Sequence, residues 1–72
     1  MDNQNYMELF SQGLQTIPEA AAFLHVSRSQ VYRLISGGDL PTVRFGRNRR
    51  VPIRAVIEFA AANLVRGELP PK

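Results

Sequence analysis

Cysteine is absent from this 72-residue sequence, and histidine occurs once. Without cysteine the chain cannot form a disulfide framework, a thiolate nucleophile or a cysteine zinc site, so the packing of apolar side chains has to stabilise it. A chain of this length forms one domain at most, because it buries only about 60% of the surface that its unfolded form exposes. We therefore expect a single small domain.

Long apolar runs are also absent. The longest, residues 20–24, has five residues, far fewer than the roughly 20 that cross a bilayer. Residues 1–6 contain one acid and no base, which is not typical of a secretory signal. These absences predict a cytoplasmic protein that does not have a membrane as its partner.

The groupings of residues that support catalysis are missing as well. The sequence has no paired carboxylates, no histidine cluster and no glycine-rich phosphate loop, so we expect neither an enzyme nor a cofactor or metal site. The lone His25 is interpreted as a capped or packed residue of a turn, because no second ligand or nucleophile accompanies it.

Acidic residues are scarce in the middle of the chain, where arginine is concentrated. Residues 28–54 hold seven arginines and one acid, a net charge of +6, whereas the flanks carry −3 and the whole chain +3. Arginine supplies eight of the nine basic residues, and its planar guanidinium matches phosphates and guanine edges through paired hydrogen bonds. This composition favours a polyanionic partner, with a solvated basic face as the alternative.

A first helix is predicted over residues 17–24. Thr16 and Glu19 have the spacing of a capping box, in which the threonine oxygen and the glutamate side chain each accept a bond from the other residue's backbone N–H. Pro18 is tolerated because its missing donor falls within the first turn. Apolar residues then recur at helical spacing.

A second helix follows after a break at residues 25–27. Ser27 and Gln30 repeat the capping-box spacing, and the pair Gly37 and Gly38 ends the helix, one of them in the left-handed conformation. Val31, Leu34 and Ile35 form the apolar stripe of this helix, and its other face is polar and basic. The residues on that exposed face near its start are Arg28, Ser29, Tyr32 and Arg33.

A β-hairpin is predicted next. Residues 42–45 alternate as a strand does, residues 46–49 form a basic turn, and residues 50–51 begin a return strand that Pro52 stops. Because a two-stranded hairpin is barely stable alone, we expect it to pack on the helices. The side chains expected to make that contact are Val43, Phe45 and Val51.

Pro52 also begins a last helix, which Gly67 is expected to stop. Its apolar face carries Ile53, Val56, Ile57, Ala60 and Leu64. Phe23 and Phe59 are expected in the core beside Phe45. No regular element is assigned to residues 1–15, which we interpret as a flexible arm, so the domain covers residues 16–66 and residues 67–72 form a tail.

Two short helices separated by a three-residue break are the pattern of a helix-turn-helix. Such a unit places the start of its second helix in the DNA major groove, where each base pair presents its own donors and acceptors. The hairpin then corresponds to a wing, and its arginine-rich tip suits the negative potential of an adjacent minor groove. The fold class we expect is mainly α with a small β-hairpin, a winged helix-turn-helix.

The run TIPEAAAFLHVSRSQVYRLISGGDLPTVRFGRNRRVPIRAVIEFA, residues 16–60, resembles the excisionase-like, MerR-related winged helix-turn-helix domains. The shared features are an "EAA..L.VS" first helix and turn, a "R..VYRLI..G.LP" second helix, a "GR..R" wing and an "IP"-like entry to the last helix. The resemblance implies that the second-helix residues given above contact DNA. It also implies wing contacts from Arg47, Asn48, Arg49 and Arg50.

By this resemblance the chain is a sequence-specific excisionase, a recombination directionality factor of a phage or mobile element. The partners implied are double-stranded DNA, a phage-type integrase and further copies of the chain on adjacent DNA sites, with bending of the duplex between them. A small transcriptional regulator without a role in recombination is the alternative, and the residues do not separate the two. A third reading is a module whose basic face binds an acidic protein.

Overall fold

The computed structural model of the chain describes residues 3–65 and residue 67, with side chains described from residue 6 onward. This part of the chain forms four helices and a three-stranded antiparallel sheet of order β1-β3-β2. The elements are α1 (Asn3–Leu9), β1 (Leu14–Gln15), α2 (Ile17–Leu24), α3 (Arg28–Ser36), β2 (Val43–Phe45), β3 (Asn48–Pro52) and α4 (Ile53–Ala62). The architecture is the predicted winged helix-turn-helix, in which β2 and β3 form the wing.

The helix α2 begins with the predicted capping box. The backbone N–H of Glu19 donates to Thr16 Oγ1 at 3.2 Å, and the backbone N–H of Thr16 donates to Glu19 Oε1 at 2.8 Å. The helix ends at His25, which adopts the left-handed conformation with φ 58° and donates its N–H to the carbonyl of Ala22. This residue is the C-cap of α2 and turns the chain between the two helices, with its side chain exposed rather than packed.

The helix α3 has the predicted bounds, but its start is only half a capping box. Ser27 Oγ accepts from the backbone N–H of Gln30 at 3.1 Å. The side chain of Gln30 does not return to Ser27, because its Oε1 accepts from Arg33 Nη1 at 3.4 Å instead. The prediction of a second complete capping box was therefore wrong.

The end of α3 is a Schellman motif that leads into the core. Gly38 has the predicted left-handed conformation, with φ +87°. The N–H of Asp39 donates to the carbonyl of Leu34 at 2.8 Å, and that of Gly38 donates to Ile35 at 3.1 Å, which satisfies carbonyls that the last turn leaves free. Leu40 then enters the core and is almost completely buried.

The wing is tighter than the sequence indicates. Its turn consists of Gly46 and Arg47 alone, with Phe45 paired to Asn48. Gly46 has φ +61°, the conformation that a two-residue hairpin loop with glycine at its first position requires. The expected four-residue turn over 46–49 was wrong, because Asn48 and Arg49 continue the ladder of β3.

Regular structure also occurs within residues 1–15, where none was predicted. The strand β1 pairs Leu14 with Pro52 and Gln15 with Val51, and the N–H of Ile53 donates to the carbonyl of Gly13 at 3.0 Å. The helix α1 contacts α4. These elements depend on pairing and packing with distant parts of the chain, so a two-residue strand and a seven-residue helix leave no periodic signal in the sequence.

The core lies where α2, α3, β3 and α4 meet. Its buried members are Ile17, Ala20, Ala21, Val31, Leu40, Val51 and Val56. Of the residues expected to pack there, Val51 is fully buried and Phe59 packs against the cluster, whereas Phe23 and Phe45 are 48% and 54% exposed. Those two assignments were wrong, since Phe23 lies on the outer side of α2 and Phe45 lies at the wing tip, away from the core cluster.

The helix α4 ends earlier than expected, at Ala62. Asn63 closes it by donating from Nδ2 to the carbonyl of Phe59 at 2.8 Å. Leu64, which was assigned to the apolar face, lies beyond the helix and is 65% exposed. Apart from Gly67, the tail predicted over residues 67–72 lies outside the described residues.

Candidate nucleic-acid interface

The four residues predicted on α3 share one exposed face of that helix. All four are exposed to solvent: Arg28, Ser29, Tyr32 and Arg33. Tyr32 has 52% of its surface accessible. Their spacing of one turn places the second pair directly after the first on the same side of the helix. On the opposite side, Val31 is fully buried, so the core fixes which face α3 presents outward.

The wing residues do not all occupy the same position. Arg47 lies in the turn, and Asn48 and Arg49 follow it on β3, all three exposed, whereas Arg50 is half-buried. Side chains alternate along a strand, so Asn48 and Arg50 share one face and Arg49 lies on the other. The wing therefore presents cationic groups from its tip and from both faces.

A groove of about 260 Å³ joins the helix to the wing. Tyr32 of α3 lines it on one side and the wing on the other, so these two surfaces open toward the same space rather than facing apart. The residues lining this groove are Thr16, Ile17, Pro18, Tyr32, Arg47, Asn48, Arg49 and Arg50. Five of the eight are residues that the sequence analysis expects to contact DNA.

Sequence reasoning missed the start of α2 as part of this groove. The groove is also lined by Thr16, Ile17 and Pro18, although the sequence indicated only a helix cap there. The pairing of Gln15 with Val51 carries the chain along the edge of β3, so α2 begins beside Arg50. No local pattern could have shown this, because it follows from the pairing of β1 with β3.

The arginines of the groove form no ion pair within the described part of the chain. Among the residues that the structure describes, the one ion pair joins Arg54 to Glu58 on α4 at 3.1 Å, away from the groove. In the described part of the chain, neither Glu19 nor Asp39 forms an ion pair with Arg28 or Arg33. The guanidinium groups of the α3 face and the wing are therefore available to an anion.

Glu19 does not line the groove, but it is hydrogen-bonded to Thr16, which does. The hydrogen bond from the backbone of Thr16 lowers the pKa of Glu19 below its ordinary value, the Thr16 side chain lowers it further, and the positive charge of Arg50 adds to this, while partial loss of hydration opposes it. The carboxylate is already committed to its cap, accepting the Thr16 N–H at 2.8 Å. Arg50 itself donates from Nη1 to the carbonyl of Arg49 at 3.0 Å.

The described part of the chain offers no site for a metal ion and no membrane-spanning helix. Residues 3–65 contain no group of three or more side chains of the types that bind metals. Over the same residues, no helix has the length and apolar character needed to span a membrane.

Comparison with known proteins gives matches to the same region. Residues 16–64 match the family model of a helix-turn-helix domain. A Mycobacterium tuberculosis protein whose name suggests DNA binding is 51% identical over 43 residues, 60% of this chain and 55% of that protein. A Saccharopolyspora erythraea protein whose name suggests an excisionase is 42% identical over 48 residues, 67% of this chain and 49% of that protein.

A third relative is the excisionase of Streptomyces ambofaciens, which is 46% identical over 46 residues, 64% of this chain and 74% of that protein. The chain spans about half the length of the first two relatives. No solved structure matches it at a comparable level of significance.

Proposed function

Since this chain belongs to the excisionase-like helix-turn-helix family, we propose that it binds specific sites on double-stranded DNA and directs the excision of a mobile element. In this proposal α3 enters the major groove and the wing lies on the adjacent minor groove. This proposal is supported above all by the groove that Tyr32 and the wing residues line together. A single duplex can meet both surfaces only if they open to the same side.

The division of contacts follows from the side chains. Arg28 and Ser29 lie in the first turn of α3 and read base edges, since that part of a helix-turn-helix reaches deepest into the major groove. Tyr32 and Arg33, one turn later, bind the phosphates that border the groove. The wing contacts come from Arg47, Asn48, Arg49 and Arg50, which bind phosphates and the minor-groove edge.

Several copies of the chain act together in this proposal. A module of this size buries only about 600–1,000 Å² against DNA and reads few base pairs. Copies bound to adjacent repeats together bind more tightly than one copy alone. Bending the duplex costs roughly 1–6 kcal/mol of free energy per site, and the new contacts offset this cost. The bent complex would bring the sites of a phage-type integrase together. The names of two relatives favour this role.

The test is a footprint and a bending assay on the attachment region of the element that encodes the chain. We expect protection of two or more adjacent repeats, slower gel migration when the site is central than when it is terminal, and preference for this DNA over random duplex at 150 mM salt. One isolated, unbent site would contradict the excisionase role. Equal affinity for random DNA would contradict specific binding altogether.

A transcriptional regulator with the same DNA contacts is the second candidate. It is favoured by the Mycobacterium tuberculosis relative, whose name suggests DNA binding and nothing about recombination. The two functions differ in what the bound protein changes. A paired assay, with one reporter for excision and one for a promoter beside the footprinted site, separates them: an excisionase raises excision in the presence of the integrase, and a regulator changes only the promoter.

A further inference from the structure

The aromatic ring of Phe45 is not explained by the packing of the fold. It ends β2, is 54% exposed, and is not among the partly buried side chains that pack against the core cluster. The wing is joined to the core by Val51, which is fully buried. A single exposed aromatic residue is common on protein surfaces. Whether Phe45 has a function therefore depends on the residues around it.

Those surroundings are the cationic tip of the wing. Phe45 pairs with Asn48 across the hairpin, so the two side chains lie on one face. Arg44 precedes it, and the turn residues Gly46 and Arg47 follow it. Arg47 and Asn48 both line the groove that opens toward α3. A large apolar ring is therefore exposed beside the cationic turn of the wing, at the part that the proposed function brings to DNA.

We propose that Phe45 is an apolar wedge that enters the minor groove beneath the wing, partly unstacks one base step and kinks the duplex. This inference rests on the proposed DNA binding and adds the residue that produces the bend. Charged side chains alone follow the phosphates, whereas inserted apolar side chains are the means by which minor-groove proteins open a base step. Arg47 and Asn48 hold the backbone and groove edge on either side of the ring.

The wedge also predicts that the protein prefers certain base steps in DNA although Phe45 forms no hydrogen bond with a base. Pyrimidine–purine steps such as TA and CA are the most easily unstacked. Sites selected by the protein should therefore carry such a step at a fixed distance from the bases that α3 reads, on the side of the wing.

The experiment compares Phe45→Ala, Phe45→Leu and Phe23→Ala on duplexes selected from a random library by the unaltered chain. Phe23 is the matched control, because it is also a phenylalanine, is 48% exposed, and lies on α2. Affinity is measured by titration at several salt concentrations, and bending by energy transfer between dyes at the duplex ends. Circular dichroism and the unfolding midpoint show that each variant is folded.

We expect Phe45→Ala to bind about fivefold more weakly or worse, to reduce the bend, and to leave the salt dependence unchanged because no phosphate contact is lost. Phe45→Leu should keep most of the bend, and Phe23→Ala should match the unaltered chain. An unchanged bend in Phe45→Ala overturns the wedge whatever its affinity, as does an equal loss in Phe23→Ala. Failure of the unaltered chain to select any duplex would instead refute the proposed DNA binding, and the wedge with it.

Discussion

The salt dependence of DNA binding can be calculated from the arginines of the interface. Four of them, Arg33, Arg47, Arg49 and Arg50, are assigned to phosphates above, and no described carboxylate forms an ion pair with them. If each neutralises one phosphate, the logarithm of the association constant falls with the logarithm of salt concentration with a slope of about −3.6. Affinity for duplex DNA should then drop about 150-fold between 50 and 200 mM salt.

Replacing Arg47 by alanine removes one of these contacts. The slope should become about −2.7, so that the same salt change weakens binding by about 40-fold instead. Arg54→Ala is the control, because Arg54 is held by Glu58 at 3.1 Å on α4 and lies outside the proposed interface. Titrations with a fluorescent duplex at five salt concentrations measure both slopes. An equal change of slope in the two variants, or a slope shallower than about −2 for the unaltered chain, would refute this reasoning.

Three further predictions concern the scaffold. Val31→Ala changes a fully buried position of α3 and should lower the free energy of unfolding, measured by urea titration, by about 2 kcal/mol. The control Val26→Ala, at a position that is 37% exposed, should change it by less than about 0.5 kcal/mol. His25→Gly should raise the thermal midpoint by relieving the left-handed conformation at φ 58°, a gain of up to about 1 kcal/mol; a lower midpoint would contradict this. The pKa of Glu19 is lowered from 4.5 in the folded chain, so its contribution to the free energy of unfolding is complete above pH 4.5 and is lost as pH falls through the lowered pKa. Glu19→Gln should therefore flatten the dependence of stability on pH in this range. An unchanged dependence would show that the capping box does not titrate.

The helix-turn-helix itself could be predicted because its signals are local. Thr16 and Glu19 mark the start of α2 within four residues of sequence, and Gly38 marks the end of α3 by its need for a positive φ. Such features depend on neighbours in the chain, so they can be recognised without knowing what packs against them. The exposed face of α3 could also be predicted, because the apolar spacing marks the side with Val31 as the inner one, and the structure buries Val31.

The groove could not be predicted in the same way, because pairing between distant residues creates it. The strand β1 is two residues long, and only its ladder with Val51 and Pro52 brings the start of α2 beside the wing. The alternation of β2 likewise indicated correctly that Val43 and Phe45 share a face. It could not show that this face is opposite the one that carries the buried Val51, since that depends on the register in which Phe45 pairs with Asn48.

Simultaneous placement of α3 and the wing on one duplex can be measured directly, because the chain has no cysteine of its own. Ser29→Cys on α3 and Asn48→Cys on the wing, both at exposed positions, each provide a single attachment point for an iron chelate that cleaves nearby DNA. We predict cleavage centred in the major groove from position 29 and in the adjacent minor groove from position 48, about half a helical turn away on the same site. Cleavage from position 29 alone, or from position 48 at no fixed distance from it, would contradict the account.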